Sequence, residues 1–200
     1  TADRAEHADV ALDHPSLGER CYALLSVLLS HRATAAALSA YLRGPEDALL
    51  ARTVAAIARE PVDQSDAAYT RLECLQKKHV FAALAADTHV SLSDAGAFPH
   101  VLRTLRALLG ESCSSASGDA KASRAESPLV AHMAALHGLA SGAGDFRACA
   151  SEALVAACAL CRTALSPGLQ AAAPHRRGET LRAQCGLASR LVPVLARILQ

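Results

Sequence analysis

Cys158 and Cys161 enclose two residues, the spacing of a dithiol redox couple or of half a zinc site. A zinc site needs further ligands, and a thioredoxin-like motif follows a strand. The surrounding run, "ASEALVAACALCRTAL", has no second pair and a helical period. Both thiols therefore read as buried helix residues. His31, His79, His89, His100 and His175 are solitary in the chain, and His132 and His137 are five apart, on different faces of one helix. They read as exposed or hydrogen-bonded side chains. There is no glycine-rich phosphate loop, HExxH or GxSxG motif, and "GAGD" at 142–145 breaks a helix without following a strand. The expectation is a protein that is not an enzyme, uses no cofactor, holds no metal and takes no small-molecule substrate.

Arginine is the remaining chemistry. After Pro99, the residues Leu102, Leu105 and Leu109 define a buried seam, so Arg103 and Arg106 project together on a flank away from it. Arg190 and Arg197, seven apart on the last helix, share a face only partly opposed to Leu191 and Leu195. These four are the candidate partner-binding residues, because guanidinium groups make charge-assisted hydrogen bonds with acidic protein surfaces. Taken singly, each is more simply a solubilising arginine.

The charge balance narrows the partners. A net charge of +1 argues against nucleic acid held through overall charge, and charged or polar residues break every apolar run before it reaches membrane-spanning length. The ends differ in sign: Asp3, Glu6, Asp9, Asp13 and Glu19 dominate the first twenty residues, and Arg176, Arg177, Arg182, Arg190 and Arg197 the last twenty-five. The seven cysteines are odd in number and mostly sit at apolar helical positions, which points to a reduced intracellular setting.

Positioning these residues falls to helices. Hydrophobic residues make up 52% of the chain but aromatic ones only 3%, and alanine, the best helix former, supplies much of the difference. Ser16 and Glu19 spell a capping box before Cys21, Leu24, Leu25 and Leu28. A second helix carries Leu38, Tyr41 and Leu42, and a third, after Pro45, carries Leu49, Leu50, Val54 and Ile57. The next runs through Tyr69, Leu72 and Leu75, and Lys77, Lys78 and His79 mark its end or a bend. Ser91 to Gly96 is a turn or short helix ahead of one that holds Pro99 in its first turn and ends at Gly110. Ser127 and Pro128 then read as N-cap and first residue of a helix with Leu129, Val130, Met133, Leu136 and Leu139. Gly142 and Gly144 break it before Phe146, Cys149, Leu154, Cys158, Cys161 and Leu165. The loop "SPGLQAAAPHRRG" precedes a last helix with Leu181, Leu187, Leu191, Val192, Leu195 and Ile198.

Four regions follow: an acidic N-terminal segment over 1–15, helical repeats over 16–110, a flexible linker or insertion over 111–127, and helical repeats continuing over 128–200. The linker is rich in Ser, Ala and charge without an apolar period. The chain opens at Thr1 and stops at Gln200 inside an apolar segment, which reads as a fragment of a larger protein.

The stretch "DAGAFPHVLRTLRALLG" at 94–110 resembles the "AGAIPxLVxLL" segment of armadillo repeats. "SEALVAACALC" at 151–161 and "CGLASRLVPVL" at 185–195 match it small to small and apolar to apolar, at unequal offsets, and "ERCYALLSVLLSHRATAAALSAYL" is similar to a third repeat helix running into the next unit. The resemblance implies an all-α, armadillo-like helical repeat, an α-solenoid. Peptide-clamping members such as the importin-alpha family use ladders of asparagine and tryptophan. This chain contains neither, so only the scaffold carries over. The implied function is a non-catalytic protein–protein interaction scaffold in a larger cytoplasmic assembly, cytoskeletal or ciliary, meeting acidic surfaces such as tubulin. The alternative is a structural helical domain of a larger enzyme or organellar complex.

Overall fold

The computed structural model describes residues 15–43, 54, 57, 67–92, 97–110, 127–142, 144, 146–172 and 176–200. They form the α-helices α1 (Pro15–Ser30), α2 (Arg32–Leu42), α3 (Ala67–Leu92), α4 (Phe98–Leu108), α5 (Pro128–Ser141), α6 (Arg147–Ala164), α7 (Gly168–Ala172) and α8 (Arg177–Ile198). No strand occurs among the described residues. The chain is all-α. The acidic residues before α1 and the linker over 111–126 lie outside the described residues, as does most of the helix expected after Pro45. Of that helix, Val54 and Ile57 are helical and buried.

The central element is α3, which packs against α1 on one side and α6 on the other; α1 and α6 share no comparable contact. A helix enclosed in this way is not limited to one apolar stripe. That explains why Lys77, Lys78 and His79, expected to end or bend it, lie inside one continuous helix of 26 residues. Successive residues on a helix point about 100° apart, and each of the three finds a different environment. Lys77 turns into the body of the protein and is buried. Lys78 Nζ donates to Glu152 Oε2 of α6 at 2.8 Å, and His79 Nε2 lies 3.2 Å from Glu19 Oε1 of α1.

The second pairing also corrects the expected capping box. Because α1 starts at Pro15, Ser16 stands inside the helix rather than ahead of it, and the Glu19 carboxylate reaches across to α3. The expected apolar face of α1 is shifted as well: Tyr22 and Leu29 are buried, while Leu24 is 60% exposed and Cys21 is exposed. On α2, Tyr41 is likewise exposed and Ser39 is fully buried.

At α4 the sequence reading holds closely. Pro99 lies in the first turn, Leu102, Leu105 and Leu109 are buried, and Gly110 ends the helix with φ of 77°, a left-handed conformation that favours glycine. Ser127 does stand at the N-cap of α5, but its hydroxyl donates to the Leu108 carbonyl instead of capping α5. This bond, with Pro128 against Gly110, pins the end of α4 to the start of α5. Ser127 is buried, unlike the flexible residue expected at the linker's edge. One hydrophobic cluster takes in Val80 and Phe81 of α3, Leu105 and Leu108 of α4, Met133 and Leu136 of α5, Leu160 of α6 and Leu187 of α8. Each fully buried Leu, Met or Phe is worth about 1.5–3 kcal/mol.

The loop expected after Leu165 contains the short helix α7. On α8 the buried residues include Thr180 and Gln184 beside Leu187, Leu191 and Val194, whereas Leu181 and Val192, assigned to the apolar face, are exposed. The cause is polar. Gln184 Nε2 donates to the carbonyls of Ala164 and Ser166 at 3.2 and 3.1 Å, satisfying backbone acceptors at the C-terminal end of α6.

Candidate interaction surface

The structure separates the four candidate arginines. Arg103 and Arg106 are both exposed on α4, a helix whose Val101, Leu102, Thr104, Leu105 and Leu108 are buried. Their backbone is thereby held rigidly while the side chains reach outward. Arg197 is exposed in the last turn of α8, where a cation complements the free carbonyl end. Arg190 Nη1 donates to the Leu109 carbonyl at 2.6 Å, tying α8 to the end of α4. Arg190 therefore has a structural partner within the chain, which the seven-residue spacing from Arg197 did not reveal.

A buried polar node links α2, α3 and α4. Asp87 of α3 accepts from Ser39 Oγ at 2.7 Å and from His100 Nε2 at 2.8 Å, and the Ser91 hydroxyl lies 3.1 Å from Ser39 Oγ. All four residues are at most 6% exposed. Serine, aspartate and histidine are the residue types of an acyl-transfer triad, but there the histidine stands between the other two. Here the carboxylate stands in the middle. Among the described residues no serine is bonded to the histidine, and His100 Nδ1 is buried without a hydrogen-bond partner. What this arrangement does is satisfy a buried carboxylate and fix three helices in register. No sequence signal identified it, since its hydrogen-bonded pairs are 13, 48 and 52 residues apart in the chain.

A second buried group lies around Lys77. Burial lowers the Lys77 pKa, with Glu73 acting against that shift. On α5, burial first and the Lys77 charge second push His132 down to about 3, so its ring is neutral at ordinary pH. His132 is 5% exposed and its Nε2 has no hydrogen-bond partner. It is thus neither exposed nor hydrogen-bonded through that nitrogen, contrary to the sequence reading. His137 is nearer to it, with Nε2 3.4 Å from Ser141 Oγ.

The Cys158–Cys161 pair follows the same logic. Burial raises Cys158 and pushes Cys161 up to about 12, with Cys158 a second cause for Cys161. Cys161 Sγ lies 3.7 Å from Met133 Sδ. Cys74 is also pushed up to about 12, by burial first and then by Cys149, whose own Sγ donates to the Phe146 carbonyl at 2.9 Å. With their pKa values raised by burial, Cys74, Cys158 and Cys161 are protonated thiols, poor nucleophiles and poor ligands. Among the described residues no three His, Cys, Asp or Glu side chains gather as metal ligands would.

No single described helix is long and apolar enough to cross a membrane; α1 and α2 pass that test only as a pair bent by 117°. In comparisons with protein-family models, curated proteins and solved structures, the chain matches none.

Proposed function

We propose that this chain is a non-catalytic interaction scaffold built from armadillo-like helical repeats, which meets an acidic protein surface through arginines on α4. The observation that carries the proposal is the exposure of Arg103 and Arg106 on a helix otherwise buried on its apolar side. Such a helix presents two guanidinium groups at fixed spacing with little backbone entropy to lose on binding. The packing order supports a repeat: α3 lies against α1 and α6, and α8 lies against α4 and α5. Stacked helical repeats likewise build their cores from contacts between successive units. A cytoskeletal or ciliary assembly in the cytoplasm is the proposed setting. Membrane, nucleic acid and small-molecule substrates have no part in this reading.

The test is affinity for an acidic protein surface, with tubulin as the probe, for an Arg103→Glu, Arg106→Glu double variant that keeps its helical content. Binding should weaken at least tenfold and should fall with salt in the parent protein. Unchanged binding places the surface elsewhere. No binding by the parent rejects the tubulin setting.

A further inference from the structure

The hydrogen bond from Arg190 places a guanidinium group of α8 at the carbonyl end of α4, the helix that presents Arg106. Leu102 packs against Ala183, and the Leu109 carbonyl accepts from Arg190. Both pairs are 81 residues apart in the chain, so α4 and α8 run side by side in the same direction. Between these two contacts, a methyl group at Gly186 would stand 4.0 Å from Leu109 Cδ1.

Helical geometry then fixes where Arg106 stands. Successive residues turn by about 100°, so position 106 falls about 40° beyond Leu102 and about 60° beyond Leu109, on the side away from the core. Since Leu102 and Leu109 both touch α8, Arg106 lies at the outer edge of the stripe by which α4 meets that helix. Arg103 lies about 60° further round, opposite the core. The residue of α8 level with Arg106 on the facing edge is Gly186, which has no side chain to fill the strip between the two helices.

The charge along this strip is one-sided. Together α4 and α8 carry six arginines and a single acid, Glu179, which lies in the first turn of α8, about three turns before Arg190. Arg190 is half-buried, and its Nη1 is anchored on a backbone carbonyl. A guanidinium has five N–H donors, so that anchor leaves others to meet a ligand while holding the group still, which lowers the entropy lost on binding. Two neighbouring like charges repel, and an anion between them relieves the repulsion. A carboxylate matches the forked donor geometry of each.

We infer that α4 and α8 form one two-helix site, in which Arg106 and Arg190 together hold the carboxylates of a glutamate- or aspartate-rich segment of the partner protein. The inference rests on the arginine surface proposed above and extends it across a second helix. Arg190 then binds the partner as well as joining α8 to α4.

Fluorescence anisotropy with a labelled polyglutamate peptide tests it. The parent should bind, with affinity falling as salt rises. Arg106→Gln and Arg190→Gln should each weaken binding about tenfold. The double variant should lose clearly less than the product, because both arginines hold the same segment. Arg162→Gln makes the same charge change at an exposed position of α6 and should stay within about twofold of the parent. Because Arg190→Gln also removes the bond to Leu109, phenylglyoxal labelling of the unsubstituted protein reads the contact independently: the peptide should protect Arg106 and Arg190 together. Parent-like binding by a folded Arg190→Gln variant, or protection of Arg106 without Arg190, confines the contact to α4 and overturns the two-helix site while the α4 reading stands. Effects that multiply in the double variant, or equal weakening by Arg162→Gln, overturn it too. A parent that binds tubulin but not polyglutamate overturns this inference alone. A parent that binds neither removes the arginine surface with it.

Discussion

His100 Nε2 lies 2.8 Å from Asp87 Oδ2 with both side chains at most 6% exposed, joining α4 to α3 inside the protein. The same carboxylate holds Ser39 of α2 through its other oxygen. A buried carboxylate with two donors is stable only while the donors remain, and losing it strands them in turn.

Asp87→Ala should therefore destabilise the protein by about 3–5 kcal/mol, because it leaves His100 Nε2 and the Ser39 hydroxyl without their acceptor. Ser39→Ala, which removes one hydrogen bond, should cost about 1 kcal/mol. Urea unfolding followed by circular dichroism measures both. A cost below about 1 kcal/mol for Asp87→Ala would show that the node can be relaxed without loss.

The depressed pKa of His132 gives stability a defined pH dependence. In the unfolded chain its pKa is near the ordinary 6.5, and in the folded protein it is about 3. Between these values the unfolded state binds a proton that the folded state does not, so stability is full above about pH 6.5 and falls as pH drops toward about 3. Lys77 acts in the same sense at the alkaline side: its folded pKa is lowered, so protonation as pH falls below its unfolded value of 10.5 costs stability. His132→Leu should flatten the urea midpoint between pH 7 and pH 4.5 relative to the parent. Parallel pH profiles for the two proteins would remove His132 as the cause.

Thiol reactivity should sort by burial. Cys21 and Cys185 are exposed, whereas Cys74 and Cys161 are buried and pushed up to about 12. In the native protein at pH 7.5, iodoacetamide should modify Cys21 and Cys185 first and leave Cys74 and Cys161 unmodified until urea unfolds the chain. Peptide mapping by mass spectrometry reads the order. Early labelling of Cys161 would show that the α5–α6 contact opens readily.

Arg190 and Arg197 should behave differently under the same substitution. Arg190→Ala removes the donor to the Leu109 carbonyl and should lower stability by about 1–2 kcal/mol. Arg197→Ala, at an exposed position, should stay within about 0.5 kcal/mol of the parent. Equal effects on thermal unfolding would mean that the bond to Leu109 contributes nothing.

Local chemistry in the sequence determined the helices and several of their ends. Alanine enrichment and the 3.6-residue period specify an all-α chain, and Pro99, Gly110 and Pro128 mark boundaries because a fixed φ, a missing N–H or tolerance of left-handed backbone acts on the residue itself. The exposed pair Arg103 and Arg106 was legible for the same reason: one strong apolar seam on α4 leaves only one flank for charge. Where a helix carries two adjacent apolar seams, as α1 and α8 do, periodicity cannot say which one is buried. Tertiary packing decided that, choosing Tyr22 and Leu29 over Cys21 and Leu24, and Gln184 over Leu181, according to which neighbours needed apolar contact or a donor. The Asp87 node, the bond from Arg190 to Leu109 and the neutral His132 likewise arise only when helices distant in the chain come together. Desolvation and long-range hydrogen bonds depend on what surrounds a residue, and a linear pattern does not contain that information.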